Sequence, residues 1–139
     1  MNFVLDCSVA LTWFFASEVS QDTDALLDEL SREGNAFVAQ HWRLEIANVL
    51  LGAERTKKKD AAQTTQFLAL LDKLAIESDL ETERHATSAT FAIGRKHKLT
   101  SYDAAYLELS IRRGLPLATL DSDLRKAARA EGIALLPAN

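Results

Sequence analysis

The feature that most constrains this chain is an alternation. Short apolar runs recur, separated by longer amphipathic segments. Phe3-Val4-Leu5 reads as a buried strand, and Ser8 to Phe15 as a short apolar helix. Asp22 to Glu33 is amphipathic, with Ala25, Leu26 and Leu30 at helical spacing. Phe37-Val38-Ala39 is a second strand, followed by a helix from Arg43 to Lys57 with Leu44, Ala47, Leu50 and Leu51 on one face. Asp60 caps the next helix, which runs to about Lys73 with Phe67, Leu68, Leu71 and Leu74 as its stripe. Ile76 marks a weak strand. Glu81 to Lys98 and Ser101 to Arg113 predict two helices. A strand at Leu117-Ala118-Thr119-Leu120, a helix from Ser122 to Glu131 and a final strand from Ile133 to Leu136 complete the pattern. Such alternation implies parallel strand pairing with helices on both faces. The expectation is one α/β domain over residues 1–139, a three-layer α/β/α sandwich around a central, mostly parallel sheet of four or five strands. In sheets of this kind, sites form outside the carboxyl ends of the strands, where strand order reverses. The residues just after each strand therefore carry the functional question.

Two strands end in aspartate. Asp6 follows Phe3-Val4-Leu5, and Asp121 closely follows Leu117-Ala118-Thr119. Glu45 lies near the start of the helix after the second strand, Asp103 in the first turn of the helix from Ser101, and Asp123 two residues after Asp121. Each has an ordinary structural reading. Asp6 leads into a helix start with Ser8 as cap, Thr100-Ser101-Tyr102-Asp103 resembles a capping box, and Asp121 or Ser122 caps the last helix. Together the acids say more. Glu45 stands in an apolar setting, Trp42-Arg43-Leu44-Glu45-Ile46-Ala47-Asn48-Val49, with Asn48 at i+3. Buried carboxylates without partners are costly, and gathered ones repel until a proton or a cation intervenes. Hard divalent cations take oxygen ligands, so an acidic cluster poor in histidine points to Mg²⁺ or Mn²⁺ before Zn²⁺. Such an ion lowers the pKa of bound water and stabilises charge on a phosphoryl group. One ion with a carboxylate as general base, or two ions about 3.5–4 Å apart, both satisfy this pattern.

Composition sets the surroundings. The chain has 139 residues, 47% hydrophobic and 26% charged, which fits a single globular domain with a real core. No uncharged apolar stretch approaches the roughly 20 residues of a membrane helix. The first residues carry no positive region before Asp6, which reads against a cleaved secretory signal. Cys7 is the sole cysteine, so no intrachain disulfide forms, consistent with a reducing compartment and a cytoplasmic location. The formal net charge is −4, which argues against a nucleic-acid partner unless local basic clusters supply the contact. Arg55-Thr56-Lys57-Lys58-Lys59, Arg95-Lys96-His97-Lys98 and Arg112-Arg113 are the candidates, and each also reads as cations at a helix end. His41, His85 and His97 lack ligand spacing, and Cys7, with no base in view, reads as a packing residue. Trp13-Phe14-Phe15 reads as core or as a face for a partner.

Four segments carry a resemblance. Val4-Leu5-Asp6-Cys7-Ser8-Val9-Ala10-Leu11 resembles the first-strand motif of the PIN-domain family, an aspartate followed two positions on by a small hydroxyl residue. Trp42 to Leu50 resembles its glutamate-plus-asparagine helix, Thr100 to Leu107 its third acidic motif, and Leu117 to Leu124 its closing threonine-x-aspartate motif. Within the family the chain looks like the VapC-type toxins of toxin–antitoxin pairs. One departure is Gln40-His41-Trp42, where the family carries a proline or small residue before the glutamate helix. The resemblance implies the PIN-like α/β/α fold and a metal-dependent endoribonuclease. It implies Asp6, Glu45, Asp103 and Asp121 as the metal-binding and catalytic acids, with Asp123 as a further, water-linked one. Ser8, Asn48 and Thr119 would orient carboxylates or waters. It also implies a homodimer and an antitoxin protein that blocks the acidic groove. Two rivals stand beside it: a catalytically inert binding module on the same fold, and another Mg²⁺-dependent phosphoryl-transfer enzyme. The second is weakened because Asp6-Cys7-Ser8 is not the Asp-x-Asp of a phosphatase, and no glycine-rich phosphate loop is present.

Overall fold

The computed structural model describes residues 1–15 and 20–138. Five strands, β1 Asn2–Leu5, β2 Asn35–Val38, β3 Ile76–Ser78, β4 Leu117–Ala118 and β5 Leu135–Leu136, form one sheet in the order β3-β2-β1-β4-β5. Every pairing is parallel. The helices are α1 Cys7–Ala10, α2 Ser20–Arg32, α3 Trp42–Arg55, α4 Ala61–Lys73, α5 Thr82–His85, α6 Ala89–His97, α7 Ser101–Arg113 and α8 Ser122–Ala130, with a 3₁₀ turn at Leu11–Trp13.

β1 is central because it is apolar on both faces. Phe3, Val4 and Leu5 are all fully buried, as a strand covered by helices on either side must be. Val4 sits opposite Phe37 of β2 and Leu117 of β4. From β1 the chain steps one way through β2 to β3, then returns to lay β4 and β5 on the other side. Strand order therefore reverses at β1, and a crevice opens at the carboxyl ends of β1 and β4. Asp6 and Thr119 lie at those two ends.

Most expected elements are present, with four differences. The helix from Arg43 starts at Trp42, and its buried positions are Trp42, Ile46, Leu50 and Ala53. Leu44 is 74% exposed and Leu51 56%, so the core stripe lies about a third of a turn from the expected face. Trp42 and Ile46, four residues apart, bury more apolar surface than Leu44 and Ala47 would. On α4, Phe67 and Leu71 are buried and Leu74 just beyond it, while Leu68 is exposed. The helix expected over 81–98 is two, α5 and α6, broken at Ser88, whose ψ of −99° lies outside helical space. The expected apolar helix from Ser8 is short, passing into the 3₁₀ turn after Ala10.

The ends of the helices follow their sequences. Asp60 accepts from Gln63 N at 2.8 Å and Gln63 Oε1 accepts from Asp60 N at 2.9 Å, a reciprocal cap. α7 stops at Gly114, whose φ of 65° suits glycine. A Cβ on Gly94 would stand 3.1 Å from the Leu99 carbonyl oxygen. That close approach lets α6 fold back so that Thr100 caps α7. Phe14 stacks on Phe67 at 4.9 Å, and the Lys59 ammonium lies 4.9 Å from the Phe14 ring, so this aromatic run is half-buried.

Candidate active site

Asp6 is buried at the end of β1, and one of its oxygens is fixed from two sides. Oδ2 accepts from Ser8 Oγ at 2.8 Å and from Thr119 Oγ1 at 2.7 Å. Both hydroxyls are themselves held. Ser8 Oγ accepts from Leu120 N at 2.9 Å, and Thr119 Oγ1 from Asp121 N at 3.1 Å. Arg125, buried on α8, donates to the Thr119 carbonyl at 2.7 Å and to the Pro137 carbonyl at 2.8 Å. The ends of β1 and β4 are thus tied together across the crevice. Burial pushes the Asp6 carboxyl above its ordinary range, against the lowering effect of the Thr119 and Ser8 hydrogen bonds.

Glu45 enters from the first turn of α3. Its Oε1 accepts from the Tyr106 hydroxyl at 2.5 Å and lies 3.5 Å from His41 Nε2. Cys7 Sγ lies 3.7 Å from the same oxygen and 3.5 Å from the Trp42 carbonyl. Burial, then the charges of Glu45 and Asp6, raise the Cys7 thiol, and burial first also raises the Tyr106 phenol. Both stay protonated, so Cys7 is a buried donor and not a nucleophile.

Asp103 stands in the first turn of α7. Thr100 caps the helix by accepting from Asp103 N at 3.2 Å, so the cap uses the Asp103 backbone and leaves its carboxylate to the crevice. Burial, then the charges of Asp6, Asp121, Glu45 and Asp123, push Asp103 up to about 6. The acids expected from the sequence are therefore near enough to act on one carboxyl. Asp121 caps α8, accepting from Leu124 N at 2.9 Å, so it has the structural role as well as a place at the crevice. Asn48 is exposed on α3 and, among the described residues, makes no side-chain hydrogen bond to the acids.

Among the described residues, no lysine or arginine lies within ion-pair reach of Asp6, Glu45, Asp103 or Asp121; His41 is the one basic group beside them. No three of the described His, Cys, Asp or Glu side chains stand close enough to hold an ion by themselves. This fits a hard cation that keeps several waters beside one or two carboxylates. Oxygen donors, raised carboxyls and, among the described residues, no lysine or arginine beside them suit a divalent cation. One or two of Asp6, Glu45, Asp103 and Asp121 would bind such an ion directly, and the others, with Asp123, through its waters.

The sequence reading passed over Tyr106 and Arg125, and set His41 aside for want of ligand spacing. Tyr106 carries a signal in hindsight: it lies three residues after Asp103, one turn along α7. His41 rings pack edge-on against Tyr102 at 5.4 Å and Tyr106 at 5.2 Å. Arg125 had no such signal, because its partners are backbone carbonyls. The basic clusters all lie at or just past helix carboxyl ends. Of these, Arg112 is taken up by acids and Arg113 lies over the Phe37 ring at 4.0 Å.

No curated protein matches the chain by sequence. Among solved structures, the crystal structure of PAE2754 from Pyrobaculum aerophilum superposes with a TM-score of 0.69 at 18% identity, covering 99% of this chain and 93% of that one. At that identity the likeness establishes the fold. The family model described as PIN domain matches residues 3–130. With an all-parallel five-stranded sheet and acids at its switch point, the chain belongs to the PIN-domain family, whose members are generally metal-dependent nucleases.

Proposed function

We propose that this protein is a Mg²⁺- or Mn²⁺-dependent endoribonuclease, the VapC-type toxin of a toxin–antitoxin pair. The observation that carries the reading is the Asp6 carboxylate, buried at the switch point with one oxygen fixed by Ser8 and Thr119. That arrangement sets the direction of the carboxylate. When bound, the ion would activate water and offset charge on the phosphoryl oxygens. The chain's own part is placement. Ser8 and Thr119 orient Asp6, Tyr106 orients Glu45, and the α7 cap presents Asp103. RNA is the substrate, and a cognate antitoxin, a second copy of the chain and a cytoplasmic location complete the proposal. These rest on the resemblance of the four sequence segments. Among the described residues, no helix is long and apolar enough to cross a membrane.

The test is cleavage of a mixed cellular RNA pool by purified protein in Mg²⁺, Mn²⁺ or EDTA, beside an Asp6→Asn/Asp103→Asn variant. Discrete fragments from the wild type alone, lost in EDTA, are expected. Activity that survives in EDTA or in the double variant would remove the acids from the mechanism.

A further inference from the structure

Three basic clusters in the sequence are candidates for contact with RNA, and the fold separates them. Arg112 is held by Asp79 and Glu108, and Arg113 lies over the Phe37 ring. Arg55 to Lys59 stand at the far end of α3 from Glu45, about 15 Å along the helix, and the Lys59 ammonium lies over the Phe14 ring. The third cluster, at the end of α6, opens on a groove of about 410 Å³. Lys96, His97 and Lys98 line one wall, and Asp123 and Lys126 of α8 line the other.

This groove adjoins the acidic crevice. Asp123 belongs to both, because it lines the groove and its charge acts on Asp103. The walls continue into the elements that carry the acids. Lys98 lies two residues before Thr100, which caps α7 and presents Asp103. Lys126 lies three residues after Asp123, on the helix that Asp121 caps.

The cations differ in what they are free to bind. Glu131 takes Lys96 at 2.8 Å and His97 at 2.6 Å. Lys98 and Lys126 are exposed and, among the described residues, make no ion pair or side-chain hydrogen bond. A polyanion that enters the crevice meets carboxylates, and an ion bound there would answer only the phosphate under attack. The phosphates beside it need cations of their own. Lysines act as mobile point charges, which suit phosphate oxygens and carry no preference for a base. An acidic protein segment could lie over the same two lysines, but nothing would draw it on into a crevice of like charge. A strand whose cut phosphate sits in the crevice must cross the surface next to it.

We propose that this groove takes the sugar–phosphate backbone of an RNA strand next to the scissile phosphate, with Lys98 and Lys126 each on a phosphate. The proposal rests on the ribonuclease reading for its ligand and adds the path of the strand across the surface.

The experiment measures binding of fluorescent oligouridylate and oligocytidylate over a range of salt, in EDTA so that chemistry is silent. The test variant is Lys98→Gly/Lys126→Gln. Lys98 has a left-handed φ of 56°, which glycine adopts freely, so the first change removes the cation and keeps the turn. A Lys57→Gln/Lys58→Gln control removes the same charge beyond the far end of α3. At low salt the test variant should bind both RNAs roughly 10- to 100-fold more weakly than the wild type, and its slope of log affinity against log salt should be shallower by about 1.4, for two phosphate contacts. The control should bind within about threefold of the wild type. Equal losses in the two variants would reduce the effect to net charge and overturn the groove. So would wild-type binding too weak to measure at low salt, or a loss confined to one of the two RNAs, which would make the lysines base readers. Polyglutamate that competes as well as polyuridylate of equal length would assign the groove to an acidic protein segment, and so overturn it as an RNA path. Cleavage in Mg²⁺ that the test variant leaves unchanged overturns the groove and keeps the ribonuclease reading. Binding that depends on these lysines, with no cleavage in any metal, keeps the groove and sinks the ribonuclease reading.

Discussion

Two groups of acids lie along the carboxyl edge of the same sheet, and they meet burial in opposite ways. Beyond β3, Asp79 is buried and accepts from Arg112 at 2.6 and 3.1 Å and from Thr82 at 3.0 Å. The same guanidinium reaches Glu108, one turn back on α7, at 2.8 Å. Burial would raise Asp79, but the hydrogen bonds from Arg112 and Thr82 and the charge of Arg112 outweigh it, and the carboxyl sits below its ordinary range. Beyond β1 and β4, Asp6 and Asp103 have hydroxyls and other acids for neighbours, and both are raised. The difference is a built-in cation. One group is neutralised within the chain, and the other is left, on the function proposed above, to an ion from solution.

The largest effect should come from breaking the complete group. Arg112→Met leaves two buried acids without their cation, which costs about 3–5 kcal/mol. Melting should fall by roughly 10 °C or more, and thermal denaturation checks it. A fall of only a degree or two would mean that water reaches Asp79 and Glu108 and that the contrast is overdrawn. The next effect completes the other group from outside. Mg²⁺ or Mn²⁺ at about 100 times its Kd should stabilise the wild type by ~2.7 kcal/mol through linkage. The gain should be largely absent in Asp6→Asn and retained in a Lys57→Ala control, whose residue lies beyond α3. An inert module on this fold would melt at one temperature with and without metal.

The two groups were not equally legible in the sequence. Asp6 and Asp121 follow apolar runs, and a strand-end acid at a switch point is a local signal that topology alone makes meaningful. Glu45 and Asp103 were visible as acids in helix first turns. Asp79 also follows a strand, yet its partner Arg112 is 33 positions away, and no local pattern distinguishes a neutralised acid from an exposed one. The same limit hid Tyr106 and Arg125, which act across the fold. The α3 face was misjudged because leucines were weighted above Trp42, and the break at Ser88 because no glycine or proline marks it. Short strands at Leu117 and Leu135 were legible as apolar runs, but their lengths are set by pairing with β1 and with each other.

The smallest effect is the sharpest test of the comparison, because the two groups should push stability in opposite directions with pH. Asp103 is raised from 3.8 to about 6. Between those values the metal-free folded protein holds a proton that the unfolded chain has released. Its contribution is fully present below the unfolded value and is lost as pH rises through about 6. Asp79 is lowered, so its contribution is present above the ordinary carboxylate range and is lost as pH falls through its folded value. Metal-free wild type should therefore melt highest on the acid side of neutrality, declining both above and below. Asp103→Asn should remove much of the upper decline and melt higher than wild type at pH 7, by under about 1 kcal/mol at this half-exposed site. Saturating Mg²⁺ should reverse the upper decline, since the ion takes the charged carboxylate and competes with the proton. Neither change should touch the acid limb, which belongs to acids held low by the chain's own cations, Asp79 by Arg112 and Glu131 by Lys96 and His97. Melts of Asp103→Asn that run parallel to wild type from pH 4 to 8 would show that the crevice acids do not feel one another, and the distinction between the two groups would collapse.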